Sequence, residues 1–170
     1  MRTLIASFKK PESIDSVMNY LPVINMLNTK YYIYDLNNAP LPNTHALGNA
    51  WLVKDVKLVS SANDEITSLK NFDPKTVAIV NKNFEKELGG FKSGSGEGEI
   101  KLTTYQPNYL KYDATIANTA QLAVFSEIYY PKGWKSFIDG KQVDHITANF
   151  VLRAMVIPAG KHQIEFKFEP

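Results

Sequence analysis

The C-terminal half of the chain alternates apolar and polar residues with the period of a β-strand. Over residues 110–116 every second position is apolar, and charged or polar residues occupy the positions between them. Asp139-Gly140 and residues 158–160 fall between such segments and have the composition of tight turns. Further strand-like runs lie at residues 121–130, 134–138, 142–146, 150–157 and 162–168. We therefore predict antiparallel sheets over residues 99–170, arranged as a sandwich or a small barrel.

The N-terminal half mixes helical and strand patterns. Residues 12–28 carry apolar residues at helical spacing, with Ser13 as a candidate N-cap and Pro22 as a break or kink. A second short helix is predicted over residues 63–71, with Asn63 or Asp64 as its cap. Strand-like runs lie at residues 30–34, 50–53, 56–59 and 76–80. The whole pattern indicates an α+β, β-rich fold, sandwich-like in its C-terminal half, with short helices packed against a few strands in its N-terminal half.

A segment rich in glycine and serine, residues 92–98, separates these two patterns. Glycine and serine bury little surface and lose much entropy on ordering, so this segment is predicted to be a flexible loop. The predicted organisation is an α+β subdomain at 1–91, the loop at 92–98 and an antiparallel β subdomain at 99–170, together forming one unit. A catalytic lid is a remote alternative for the loop, and its spacing does not fit a phosphate-binding loop.

Composition narrows the possible functions without identifying one. The chain has 170 residues, 44% of them hydrophobic and 21% charged, which is typical of a globular protein. Its net charge of +2 is too small to indicate nucleic acid or an anionic membrane surface as a partner. The absence of cysteine excludes disulfides, thiolate metal sites and cysteine nucleophiles. No apolar run approaches the ~18 residues of a membrane span, and the N-terminal apolar stretch is short for a signal peptide.

The sequence contains no recognisable catalytic or metal-binding motif. His45, His145 and His162 lack a second ligand at metal-binding spacing, and His162 is expected at the edge of the core. No serine stands in a strand-turn-helix elbow of the kind that hydrolases use. We therefore predict no enzymatic activity of this chain, no catalytic residue, no metal and no cofactor.

Four carboxylates could serve a glycoside hydrolase by residue type alone. Such enzymes place two carboxyl groups roughly 5–10 Å apart across the scissile bond. Each of the four is expected on a strand or turn, where exposure to solvent is the simpler explanation. The four residues are Glu127, Asp139, Asp144 and Glu165.

Three aromatic residues lie within six positions, at Tyr129, Tyr130 and Trp134. Exposed rings stack on the apolar faces of sugars, although a large aromatic residue is also a common core residue. Asp144 and Arg153 are the candidate hydrogen-bonding neighbours, chosen for their nearness to the predicted hairpins. Arg153 interrupts an apolar run, so it either faces solvent or forms a buried ion pair, for which Glu127 is one possible partner.

Seven short blocks of the sequence form a distinctive series. The blocks are MLNTKYYI at 26–33, GNAW at 48–51, SEIYYPKGWK at 126–135, IDGK at 138–141, ANFVLRA at 148–154, VIPAGKH at 156–162 and EFKFEP at 165–170. In this order they resemble the soluble C-terminal part of the bacterial YfhO family of membrane proteins. The resemblance extends from about residue 23 to residue 170, while the first twenty residues and the 81–98 segment carry little of it. An inserted Lys132 separates Pro131 from Gly133, where the family has an uninterrupted Tyr-Pro-Gly-Trp run.

The resemblance implies a fragment of a large polytopic membrane protein similar to glycosyltransferases that use lipid-linked sugars. The catalytic carboxylates of such proteins belong to membrane-proximal loops in an N-terminal part that is absent here, so no catalytic residue carries over. The expected location is extracytoplasmic, with a final transmembrane helix soon after Pro170. The expected partners are a glycan or cell-envelope polymer and the membrane portion of the same protein, and not nucleic acid.

These considerations predict a non-catalytic extracytoplasmic domain that binds or orients a glycan, or that supports the membrane part. The alternative is a structural protein–protein interaction domain without affinity for sugars. A free-standing glycoside hydrolase is a remote third possibility.

Overall fold

Strands dominate the part of the chain that the computed structural model describes, residues 21–33 and 35–170. The helix predicted from residue 12 lies outside the described residues as far as position 20. A short helix, α1 (Pro22–Met26), follows the non-helical N-cap Leu21 and has Pro22 in its first turn. A second helix, α2 (Ala62–Ser68), continues into a 3₁₀ turn at Leu69–Asn71, and another 3₁₀ turn covers Lys82–Phe84. The strands are β1 (Tyr31–Tyr32), β2 (Leu41–Pro42), β3 (Ala50–Val53), β4 (Asp55–Val59), β5 (Val77–Asn81), β6 (Gly98–Gln106), β7 (Tyr109–Ile116), β8 (Gln121–Ile128), β9 (Trp134–Ile138), β10 (Lys141–Val143), β11 (Ile146–Ala148), β12 (Leu152–Ile157) and β13 (Gly160–Phe168).

Two antiparallel sheets contain all the strands of the C-terminal half, as predicted. One has five strands in the order β10-β9-β13-β7-β6, and the other has four in the order β11-β12-β8-β3. The turn between β9 and β10 has φ of +51° at Asp139 and +78° at Gly140, which is the positive-φ pair that a two-residue hairpin requires. The β-rich, sandwich-like prediction is therefore confirmed.

The four-stranded sheet is the middle of three layers, because both of its faces are buried. Ala123 and Phe125 of β8 pack with the five-stranded sheet, in a core that includes Tyr112 and Phe166. Leu122 and Val124, which point the other way along the same strand, belong to a second core on the opposite face. Double burial explains why residues 121–125 are continuously buried instead of alternating.

The third layer consists of β4, β5 and the connecting helix α2, with β4 and β5 pairing in parallel. Helix α2 begins two or three residues earlier than predicted: its N-cap is Ser61, and not Asn63 or Asp64. The Ser61 backbone is extended, its Oγ accepts a 3.1 Å hydrogen bond from the Asp64 N–H, and its hydroxyl donates to the Asp64 carboxylate over 2.8 Å. Asp64 is therefore the third residue of the helix, and both its N–H and its carboxylate are hydrogen-bonded to the Ser61 hydroxyl.

Asn149 connects this third layer to the middle sheet. Its side chain is fully buried, and its Oδ1 accepts a 2.8 Å hydrogen bond from the Ile79 N–H. Its own N–H donates to the Ile79 carbonyl over 2.7 Å, so one residue satisfies both backbone groups of Ile79 in β5. Asn149 has a φ of +51°, in the left-handed region that asparagine tolerates better than most residues.

Residues 92–98 are hydrogen-bonded to their surroundings. The Gly94 N–H donates to the Lys54 carbonyl over 2.7 Å, and the Gly96 N–H donates to Gln121 Oε1 over 2.9 Å. Strand β3, from the N-terminal half, also pairs with β8 in the C-terminal half. The proposed division at this segment stays a prediction, and at least one sheet contains strands from both sides of it.

Candidate functional site

A cavity of about 160 Å³ brings together three of the five residues that the sequence singled out, Tyr129, Trp134 and Asp144. It lies at one edge of the sandwich, where the residues between β10 and β11 cross from the five-stranded to the four-stranded sheet. Its other lining residues are Pro131, Lys135, Ser136, Gln142, Val143 and His145.

Each of these three residues reaches the cavity from a different element. Tyr129 follows the end of β8, and its N–H donates to the Val151 carbonyl over 2.7 Å. Trp134 opens β9 directly after Gly133, whose φ of +100° is accessible to few other residues. Asp144 lies exposed in the β10–β11 link. Convergence of three separate elements explains why the site is not visible as one compact sequence motif.

Ser136 and His145 form a hydrogen-bonded pair in the wall of the cavity. The Ser136 hydroxyl donates to the Val143 carbonyl over 2.6 Å, and the same oxygen lies 2.9 Å from His145 Nδ1. Since the single hydroxyl proton of Ser136 points to Val143, the hydrogen of the second contact must be on His145 Nδ1. The imidazole therefore carries a hydrogen on Nδ1, and its buried Nε2 has no hydrogen-bond partner within the described part of the chain.

Burial disfavours the charged form of His145 and lowers its pKa to about 4. The positive charge of Arg153 lowers this pKa further, and the negative charge of Asp144 raises it. Burial also raises the pKa of the Tyr129 hydroxyl, with further increases from the charges of Glu87 and Asp144. At neutral pH the cavity wall therefore holds a neutral imidazole and a neutral phenol.

The guanidinium of the buried Arg153 is stacked against the Trp134 ring, which forms part of the cavity surface. The guanidinium carbon of Arg153 lies 4.1 Å from the centroid of the Trp134 ring and 5.2 Å from that of Phe166. Arg153 Nε donates to the Ile128 carbonyl over 3.1 Å, which fixes the guanidinium plane. One face of Trp134 is thus covered, and a ligand can reach only the remaining surface of the ring.

Arg153 is only 2% exposed, so the solvent-facing alternative for this residue is wrong. It contacts the two rings and the Ile128 carbonyl, and it forms no direct ion pair with a described residue. Burial raises the pKa of Glu127, and the charge of Arg153 opposes that shift. Burial lowers the pKa of Arg153 itself. Arg153 lies behind Trp134 and does not line the cavity.

The remaining candidates occupy separate positions. Tyr130 is exposed and lies beside the cavity instead of lining it. Among the four carboxylates, Asp144 lines the cavity, Asp139 pairs with His162 over 2.7 Å, and Glu165 accepts from Tyr109 over 2.6 Å. Within residues 21–33 and 35–170, no three side chains of metal-binding type come together.

Sequence reasoning missed Ser136, Gln142 and His145 as parts of this cavity. Ser136 could have been found, because it lies two positions after Trp134 in a strand and therefore shares its face. His145 gave no comparable signal, since its position depends on how the β10–β11 link crosses between the two sheets.

Comparison with known proteins supports the family resemblance over the C-terminal part. Residues 93–170 match the family described as bacterial membrane protein YfhO. The predicted family is thereby confirmed for these residues, which include the whole cavity, while the blocks at 26–33 and 48–51 lie outside the match. No curated protein and no solved structure matches the chain. None of the helices that the structure describes is long and apolar enough to cross a bilayer.

Proposed function

We propose that this chain is a non-catalytic, extracytoplasmic domain of a polytopic, glycosyltransferase-like membrane protein, and that it binds a glycan or cell-envelope polymer at the cavity beside Trp134. The observation that carries the proposal is the meeting of Tyr129, Trp134 and Asp144 in one cavity of a domain whose residues 93–170 match a membrane-protein family. Support of the membrane part is a second role that the same domain would fulfil.

The chemistry of the cavity suits a sugar better than a charged or purely apolar ligand. Partly exposed rings offer an apolar surface to the C–H face of a pyranose. The Asp144 carboxylate accepts hydrogen bonds from neighbouring hydroxyl groups, and the Gln142 amide both donates and accepts. The ammonium of Lys135 is already 2.8 Å from the Glu169 carboxylate, which lowers its attraction for an anion.

The size of the cavity predicts weak binding. Its volume of about 160 Å³ lies below the ~300 Å³ at which cavities begin to enclose a small-molecule ligand. One sugar unit at the end or along the side of a polymer would therefore be held, with most of its surface in solvent. Affinity near ~1 mM corresponds to only about 4 kcal/mol, and avidity along a polymer would raise the apparent strength.

The two tryptophans make a direct test possible by nuclear magnetic resonance. Trp51 Nε1 donates to the Pro74 carbonyl over 2.7 Å, and this residue belongs to the core on the other face of the middle sheet. Titration with neutral oligosaccharides and with teichoic-acid fragments should shift the Trp134 indole signal and leave the Trp51 signal in place. Equal shifts of both signals, or none at about 10 mM sugar, would overturn the proposal and favour the interaction domain without sugar affinity.

An amide substitution with a matched control tests the polar side of the site. Asp144→Asn removes a hydrogen-bond acceptor with a charge and should weaken binding about fivefold. Asp113→Asn makes the same change at another exposed position, on β7, and should leave the affinity unchanged. Equal affinities of the two variants would exclude Asp144 as a ligand-binding residue.

A further inference from the structure

Apolar side chains become more exposed toward the tip of the β1–β2 hairpin. Exposure is 65% at Tyr31, 71% at Ile33 and 94% at Leu36, and the last two values are the highest for large apolar residues in the described part of the chain. Single exposed apolar residues are ordinary on protein surfaces, whereas several along one projecting segment indicate an interaction surface.

The hairpin is a formed structure that holds these side chains outward. Tyr31 pairs with Pro42 and Tyr32 with Leu41 at its base. At the tip the Asp35 carboxylate accepts hydrogen bonds from the Asn37 N–H over 2.9 Å and from the Asn38 amide over 2.8 Å. The turn therefore satisfies its own polar groups around Asp35 and places Leu36 almost entirely in solvent.

The chemistry of this tip suits the interfacial layer of a lipid bilayer. Tyrosine is enriched at that depth because its ring is apolar and its hydroxyl is polar, and leucine and isoleucine contribute apolar area. The opposite charges of Lys30 and Asp35 offset each other, so the hairpin has no net charge that would favour anionic lipid. A bilayer would also lie close to a domain whose C-terminal part matches a membrane-protein family.

We propose that the β1–β2 hairpin, with Ile33 and Leu36 beyond the strand pair and Tyr31 on β1, inserts these three side chains into the headgroup layer of a membrane and docks this face of the domain on the lipid surface. Insertion stops at that layer because the hairpin is short and its exposed backbone groups still need water. This contact is separate from the cavity beside Trp134, so sugar binding and lipid binding are measured independently.

Flotation of the 170-residue chain with phosphatidylcholine vesicles tests the proposal. The chain should float with the vesicles, and Leu36→Ser should lower the partition coefficient about tenfold, the effect of withholding a leucine side chain from an apolar layer. Tyr31→Ser should also weaken partitioning. Tyr105→Ser is the matched control, because Tyr105 is likewise 65% exposed but lies on β6. Circular dichroism of each variant verifies that the fold is intact.

Three results would overturn the proposal. Unchanged partitioning of Leu36→Ser would show that the tip does not enter the bilayer. Binding that requires phosphatidylglycerol and disappears in high salt would indicate attraction by the net charge of the chain instead. Absence from the vesicle fraction, together with self-association that Leu36→Ser abolishes, would identify a protein partner for the tip.

Discussion

The guanidinium of Arg153 is stacked on the ring of Trp134, with 4.1 Å between its central carbon and the ring centroid. The stack joins the candidate site to the interior, since Arg153 belongs to the middle sheet and Trp134 to the five-stranded one. A cation in this position costs desolvation energy, which the two rings and the Ile128 carbonyl partly offset. The orientation of Trp134 therefore depends on a residue that a ligand in the cavity does not contact.

Replacing Arg153 should separate the contribution of its volume from that of its charge. Arg153→Ala leaves a cavity under Trp134 and should lower the free energy of unfolding by about 3 kcal/mol. Arg153→Met fills most of the space without a charge and should change it by less than about 1 kcal/mol, in either direction. Urea unfolding measures both values. If Arg153→Met were as destabilising as Arg153→Ala, the charge itself would be required.

The pKa values of the two histidines in the C-terminal half should be shifted in opposite directions from the ordinary value of 6.5. Burial lowers the pKa of His145 to about 4. The hydrogen bond between His162 and Asp139 raises the pKa of His162. Proton signals of the two imidazoles, assigned with His145→Gln and His162→Gln variants, give both values directly. A His145 signal that titrates above pH 6 would contradict the buried, neutral imidazole.

These pKa shifts imply opposite pH dependences of stability. His145 has a folded pKa below its unfolded value, so its contribution is complete above pH 6.5 and is lost as pH falls toward 4, by up to about 3 kcal/mol. His162 has a raised folded pKa, so its contribution is present below pH 6.5 and is lost as pH rises through the folded pKa. His145→Gln should therefore flatten the decline in unfolding free energy between pH 6.5 and pH 4.

The strands of the C-terminal half were predictable because local chemistry determines them. Alternation places Tyr112 and Ile116 on a buried face, and Asp139-Gly140 can form only a few kinds of turn. The environment of Arg153 could not be derived in this way. This environment depends on contacts between β8, β9 and β12, which are separated in the sequence and meet only in the folded protein.

The cap of α2 shows a smaller limit of the same kind. Ser61, Asn63 and Asp64 are all residue types that begin helices, so composition alone leaves the start uncertain by two or three positions. In the structure, the extended backbone of Ser61 identifies this residue as the N-cap. For the candidate site, the sequence supplied Tyr129, Trp134 and Asp144, whereas the Ser136–His145 pair required the fold.

Asn149 should be among the most sensitive polar residues of the protein. Asn149→Ala leaves the Ile79 N–H without its partner in a buried position and removes the residue type that tolerates a positive φ. We expect a loss of about 2–3 kcal/mol in the free energy of unfolding. Asn118→Ala, at an exposed loop position, is the control and should stay within about 0.5 kcal/mol. Similar losses in both variants would refute a special role of Asn149 in holding β5.

Gly133 provides the last test, because it links turn geometry to the position of Trp134. A Cβ atom added at Gly133 would lie 2.7 Å from the Phe168 ring, in a residue whose φ is +100°. Gly90, with a φ of +85° and no atom of the described residues within 4 Å of an added Cβ, is the matched control. Gly90→Ala should lower the free energy of unfolding by about 1 kcal/mol from backbone strain alone, and Gly133→Ala by about 2–3 kcal/mol, since the Phe168 ring must also move.

Phe168 in turn contacts Trp134, with 5.4 Å between their ring centroids, so Gly133→Ala should also shift the Trp134 indole signal. Equal losses of stability in the two variants, with an unmoved Trp134 signal, would mean that the turn does not determine how the ring is placed in the cavity.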